Sequence, residues 1–139
     1  MSVFPSSEAA TEVFGSLFAA ARQDDRFTRG LREAGITMLF EHRDPGCRAF
    51  VSADELLTGD EAPGHATLVV KSSCDDAHAL WLGLTTFPAL VTTGRMKILG
   101  KVSKVLEVMP ALVPVFEHYP AVARDAGLTG EPARAAGSH

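Results

Sequence analysis

The side chains best suited to chemistry are five histidines and two cysteines, set among 17 acidic residues. No two of His42, His65, His78, His118 and His139 stand four residues apart, so no helix face presents the histidine pair of an H-E-x-x-H zinc site. Asp75, Asp76 and His78 lie close together. Two acids suit the first turn of a helix, and a hard cation asks for more oxygen ligands than these supply, so no metal is expected. Glu41, His42 and Asp44 set acids beside a base, but at a strand end next to a turn, where solvated charge is equally at home. They define a small-enzyme reading that ranks last. Gly15-Ser16 lacks the second glycine of a nucleophile elbow. Gly94 to Lys101 imitates a phosphate loop. It has five residues between its glycines where that loop has four, and Val102 follows where Ser or Thr is required. Those five residues also read as a strand, which cannot wrap a phosphate. No catalytic residue, metal or cofactor is expected.

The bulk properties narrow the field in the same direction. A net charge of −4 argues against a nucleic-acid partner. Residues Met1 to Ala10 lack both the basic start and the apolar run of a secretion signal, and no stretch of about 18 apolar residues spans a membrane. Cys47 and Cys74 are too few for a disulfide framework and read as reduced thiols. A cytoplasmic protein is expected. The length fits one domain, over residues 1–127, with a Gly-, Ala-, Pro- and Arg-rich tail over 128–139.

Elements follow from caps, breakers and periodicity. Ser6-Ser7-Glu8 opens a helix whose apolar face is Val13, Phe14, Leu17, Phe18 and Ala21. Asp24 to Ala34 is a second helix, ended by Gly35. Ile36 to His42 alternates as a half-buried strand, Asp44-Pro45-Gly46 predicts a type II turn, and Cys47 to Ser52 returns as its partner. Leu56 to Thr58 and Ala66 to Ser72 are further strands, separated by the polar loop Gly59 to His65. Ser73 caps a helix that fills Ala77 to Leu84, with Asp75 and Asp76 in its first turn. Phe87 to Thr92 is a short helix ended by Gly94. In Arg95 to Leu99, Met96 and Ile98 point one way, Arg95 and Lys97 the other. Val102, Val105, Leu106, Met109 and Val113 mark one helix face, which Pro110 and Pro114 cut short. Tyr119 to Gly127 closes the ordered part. A strand returning after helices predicts an α+β fold with a mixed sheet and helices on one face.

The apolar residues concentrate late in the chain. Leu80, Trp81, Leu84, Phe87, Leu90, Met96, Ile98, Val102, Val105, Leu106, Met109 and Phe116 crowd together in sequence. Such residues ordinarily close into a dense core. Short helices broken by Pro88, Pro110 and Pro114 pack less regularly, and Met and Phe are adaptable lining residues. This set is the candidate wall of an apolar ligand site. Arg95, Lys97, Lys101 and Lys104 are a basic excess in an acidic protein. They are candidate contacts for a lipid headgroup or an anionic membrane surface.

The order of these motifs resembles the sterol carrier protein 2 family. The likeness is carried by Leu68 to Lys71, Ser73-Cys74-Asp75-Asp76-Ala77, Phe87-Pro88-Ala89-Leu90, and the glycine-bounded strand Gly94 to Gly100 with the apolar helix after it. It covers Ile36 to Met109. It extends to small single-domain bacterial members through Glu8 to Ala21 and Pro114 to Tyr119. The resemblance implies a five-stranded, mainly antiparallel mixed sheet covered by helices, with a hydrophobic tunnel between them. It implies non-catalytic binding or transfer of a sterol, fatty acid, acyl-CoA or phospholipid. Asp44 to Thr58 is more compact than in the family, and nothing here matches the peroxisomal C-terminal peptide of animal members. The second reading is an accessory or dimerising module without a ligand, using the same apolar surface between chains.

Overall fold

The computed structural model describes residues 3–128. Apart from Leu128, the tail expected over 128–139 lies outside them. Five strands form one sheet in the order β3-β2-β1-β4-β5. They are β1 (Met38–Arg43), β2 (Cys47–Val51), β3 (Leu56–Thr58), β4 (Leu68–Ser73) and β5 (Lys97–Leu99). β1 and β4 run parallel, and the other three pairings are antiparallel. The described residues also form six α-helices: α1 (Ser7–Ala21), α2 (Asp25–Ala34), α3 (Cys74–Trp81), α4 (Phe87–Thr92), α5 (Val102–Val108) and α6 (Val113–Asp125). The α+β class and the mixed, mainly antiparallel sheet are those expected.

Local chemistry explains most element boundaries. Ser6 Oγ accepts from the Ala9 N–H, and an Asp24 carboxylate oxygen accepts from the Arg26 N–H, each satisfying a free donor at a helix start. Ser73 Oγ does the same for Asp76 at the start of α3. The main core joins one sheet face to the helices. Met38, Phe40, Leu68 and Val70 meet Phe14, Leu17 and Phe18 of α1, Trp81 of α3 and Leu112. The opposite face carries a small second cluster of Leu39, Phe50 and Ala62, against which Leu57, Ala66 and Val69 pack.

The β1–β2 turn is not type II. The Asp44–Pro45 bond is cis, and the positive φ that a type II turn would give Gly46 falls on Asp44 instead, at 56°. α3 stops at Trp81, short of the expected Leu84. Gly83 takes φ 81°, and the Leu84 N–H reaches back to the Ala79 carbonyl at 2.9 Å, which turns the chain out of the helix. The strand expected over Ile36 to His42 pairs from Met38, and the one expected over Arg95 to Leu99 pairs only over β5. The Arg95 and Met96 N–H groups are occupied at the end of α4 by the Leu90 carbonyl. The last helix begins at Val113, well before the expected Tyr119. Pro114 falls in its first turn, where a missing N–H costs nothing.

Close packing of α2 on the proline-bearing 3-10 turn Met109–Leu112 gives a sharp test. A Cβ on Gly30 would lie 2.6 Å from Ala111 Cβ. Gly30→Ala should therefore destabilise the domain. Overpacking costs about 1–3 kcal/mol, more than the roughly 0.5–1 kcal/mol that removing a helical glycine contributes. Ala111→Gly in the same chain should restore the urea midpoint. A stabilised single variant would show that α2 and this turn are not packed so tightly.

Candidate functional site

The predicted apolar residues divide into two groups. Leu80, Trp81, Phe87, Leu90 and Met96 are buried in the main core, and Ile98, Val105, Met109 and Phe116 pack against it half-buried. Leu84, Val102 and Leu106 lie at the surface, at 46%, 74% and 68% exposure. For Leu84 the cause is the turn at Gly83. For Val102 and Leu106 it is the rotation of α5. The helix buries Val108 and packs the half-buried Val105 against the core, and its continuation buries Ala111 and Leu112. At about 100° per residue, that stripe is centred roughly a quarter turn from the predicted Val102–Val105–Leu106–Met109–Val113 face and shares only Val105 with it. Two fixed points set the rotation. Gly100 lies against β4 with φ 137°, where a Cβ would meet the Thr67 carbonyl oxygen at 2.6 Å, and Ala111 is wedged on Gly30.

Between sheet and helices lies a wholly apolar contact zone. Met38, Leu68, Val70 and Ile98 rise from β1, β4 and β5. Phe87 of α4, Val105 and Val108 of α5, and Met109 and Leu112 close over them. The cavity left among these residues is about 10 Å³, no more than the space of one water-sized probe. The expected hydrophobic tunnel is thus not open here: side chains fill its place. Met38, Leu68, Val70, Val108 and Leu112 were missing from the predicted set. The alternation in β1 and β4 marks the first three as inward-facing. Val108 and Leu112 are legible only once the helix rotation is known.

Trp81, the single tryptophan, borders this zone. Its ring makes edge contacts with Phe18, Phe40, Phe87 and Phe116 at centroid distances of 5.0–6.3 Å. Its indole N–H is buried and has no hydrogen-bond partner among the described residues. An unpaired buried donor costs about 1–3 kcal/mol.

The basic residues also divide. Arg95 lies 3.4 Å from Asp76 in an ion pair, and Lys104 donates to the Ala34 carbonyl at 2.7 Å and pairs with Glu107. Lys97 and Lys101 are exposed, with no ion pair among the described residues. Register sets Lys97 beside Lys71 and Leu99 beside Val69, on the sheet face opposite α5, whereas Lys101 stands one residue before the exposed Val102.

The sequence motifs weighed for chemistry are dispersed. Strand alternation sends Glu41 to the far sheet face, where it pairs with Arg48 at 3.6 Å and Lys71 at 3.5 Å. His42 turns into the core and Asp44 stays in solvent beside Arg43. An Asp75 carboxylate oxygen accepts from the Val3 N–H, and His78 Nδ1 hydrogen-bonds the Tyr119 hydroxyl deep in the core. An open cleft of about 1010 Å³ runs between α1 and the β1–β2–β3 end, past Thr11, His42 and Cys47. Its rim carries Glu8, Glu12, Glu41, Arg48 and Asp60. That charged rim does not suit an acyl chain, and none of the predicted apolar residues lines it.

A five-stranded mixed sheet with helices packed on one face and a closing C-terminal helical layer defines the class. Solved structures that share it include sterol carrier proteins. The apo form of sterol carrier protein 2 from Yarrowia lipolytica aligns over 78% of this chain and 90% of its own, with a TM-score of 0.57 at 16% identity. Sterol carrier protein domain 2 of Helicoverpa armigera aligns over 86% and 91%, with a TM-score of 0.56 at 12% identity. A ubiquinone synthesis protein titled UbiJ-SCP2 aligns over 81% and 97%, with a TM-score of 0.54 at 17% identity. No family model and no curated protein matches the sequence. The chain has the sterol carrier protein 2-like fold.

Proposed function

We propose that this domain binds and carries a lipid with an apolar chain, taking the chain between the sheet and α5, and that it does so without a catalytic step. The observation that carries this reading is that α5 is apolar on both sides. Val105 and Val108 face the sheet, while Val102 and Leu106 face solvent. A surface helix normally turns a polar face to water. An apolar outer face suits a helix that moves between the sheet and a lipid phase. α5 is also short, has no side-chain N-cap, and is bounded by Gly100 and a proline-bearing 3-10 turn; the Lys104 hydrogen bond to the Ala34 carbonyl ties it to α2. Its outward displacement would open the zone that side chains now fill.

The energetics suit a carrier. About ten buried methylenes gain roughly 8 kcal/mol against water. A bilayer offers nearly the same gain, so the chain exchanges between protein and membrane without chemistry. Lys101, one residue before the exposed Val102, and Lys97 on the edge strand β5 are the cations that would meet an anionic headgroup surface at which this exchange would occur. Among the described residues no helix is long and apolar enough to cross a membrane, so the contact would be peripheral. With two free cysteines and no need of oxidising conditions, the reading places the domain in the cytoplasm.

Trp81 provides the test. Oleate added from anionic vesicles should change Trp81 fluorescence saturably, and should do so faster than from zwitterionic vesicles. Lys97→Glu with Lys101→Glu should remove the difference between vesicles while leaving equilibrium affinity intact. No fluorescence change, together with no lipid carried in native mass spectrometry, would rule the reading out. A ligand-free dimer in solution scattering would favour the accessory-module reading, with the same exposed apolar residues between chains.

A further inference from the structure

The two cysteines of this chain come from different elements and meet. Cys47 opens β2, and Cys74 opens α3 directly after β4. β1 lies between β2 and β4, so both residues converge on the β1–β2 turn. The two thiols are close enough there for each to shift the other's ionisation. Thr11 Oγ1 donates to Cys47 Sγ from 3.6 Å, and Cys74 Sγ lies 3.2 Å from the Pro45 carbonyl as a donor. Both cysteines are free. Their surroundings differ in one respect that matters. Cys74 is completely enclosed, whereas Cys47 lines the open cleft beside α1.

We propose that Cys47 and Cys74 form a hydroperoxide-sensitive dithiol site, in which Cys47 is oxidised first and Cys74 resolves it to an internal disulfide. The cleft supplies the path by which a small hydroperoxide reaches Cys47. Reactivity follows the thiolate, and the neighbouring Cys74, with Thr11, holds the Cys47 thiol below its usual range against the opposing effect of burial. Cys74 is held well above its usual range by the neighbouring Cys47, by burial and by the nearby Asp75 and Asp44 carboxylates. It is therefore the sulfur that waits protonated.

The steps balance. The Cys47 thiolate attacks one peroxide oxygen; an S–O bond forms, the O–O bond breaks and hydroxide leaves, giving a sulfenic acid. Cys74 gives up its proton and its sulfur attacks the Cys47 sulfur. The S–S bond forms, the S–O bond breaks and water leaves. Two electrons pass from the two thiols to the peroxide, and a dithiol reductant returns them. Both sulfurs sit at the β1–β2 turn, Cys74 Sγ on the carbonyl of Pro45, two residues before Cys47. The bond would tie the β1–β2 turn to the start of α3.

The full-length reduced protein, exposed to hydrogen peroxide and then unfolded in excess alkylating agent, tests this by intact mass and peptide mapping. The expected product has lost the mass of two hydrogen atoms, takes up no alkyl group, and yields one peptide pair joined through Cys47 and Cys74. With a sulfenic-acid-trapping dione present, Cys74→Ser should accumulate the adduct on Cys47. Native alkylation of the unmodified protein needs no variant: Cys47 should react at least about tenfold faster than Cys74. Two thiols still alkylatable after peroxide, bridges only between chains, or equal or reversed alkylation rates would overturn the proposal.

Discussion

Replacing Leu112 with alanine is expected to lower stability by about 2–5 kcal/mol and at the same time to raise affinity for acyl chains. Leu112 is buried at 1% exposure and closes the apolar zone against β1 and β4. Truncating it removes apolar contacts and leaves a void that the surrounding residues fill only in part. In a core with no other purpose, the result is loss alone. In a closed ligand site, the void enlarges a cavity already lined by apolar atoms, and a methylene chain can occupy it. The two outcomes separate in a melting experiment. Ligand at about 100 times its dissociation constant contributes about 2.7 kcal/mol to the native state. Saturating oleate should therefore recover much of the stability lost in Leu112→Ala, and should shift this variant more than the parent. A Leu112→Ala protein that is destabilised and indifferent to oleate would locate the ligand elsewhere or nowhere.

The second large effect is acid sensitivity through His42. Burial pushes this imidazole down to about 4 from 6.5, against an opposing hydrogen bond at Ser72. Its ring is flanked by Phe14 and Phe40. Ser72 Oγ already donates to the Ser73 carbonyl, which places the shared proton on His42 Nδ1 and leaves Nε2 as a bare acceptor with no partner among the described residues. The sign follows from proton counts. Between pH 4 and 6.5 the unfolded chain binds a proton at this histidine and the native chain does not, so protons favour unfolding. The stability is fully present above about pH 6.5 and is lost as pH falls toward 4, by about 3 kcal/mol in total. Unfolding free energies from urea titrations at pH 7 and pH 4.5 should differ by most of this amount. His42→Gln should flatten that dependence, and an unchanged slope would show that His42 is not held neutral in the native state.

Much of the architecture was legible from local patterns. Ser6 and Ser73 announced their helix starts and Gly35 a helix end because caps act through hydrogen bonds and φ preferences a few residues long. Pro110 and Pro114 broke the C-terminal helical region where predicted, since a missing N–H is local too. Alternation in Ile36 to His42 and in Arg95 to Leu99 chose the inward faces correctly. The order of motifs carried the sterol carrier protein 2-like fold, which the solved structures share.

The site was less legible, for a reason visible in α5. Val102, Val105, Leu106, Val108 and Met109 allow two overlapping apolar faces roughly a quarter turn apart, and no periodicity argument chooses between them. The choice was made by contacts distant in sequence, Gly100 against Thr67 and Ala111 against Gly30. Likewise, nothing local to Cys47 or Cys74 says that they meet; β1 inserted between β2 and β4 brings them together. By itself the sequence determined most of the elements, the capped helix starts and the inward faces of the strands, because these rest on hydrogen bonds and sterics between near neighbours. The tertiary structure alone decided strand order, the rotation of α5, the closure of the apolar zone to about 10 Å³ and the pairing of the thiols. Each of these depends on which distant surfaces fit against one another.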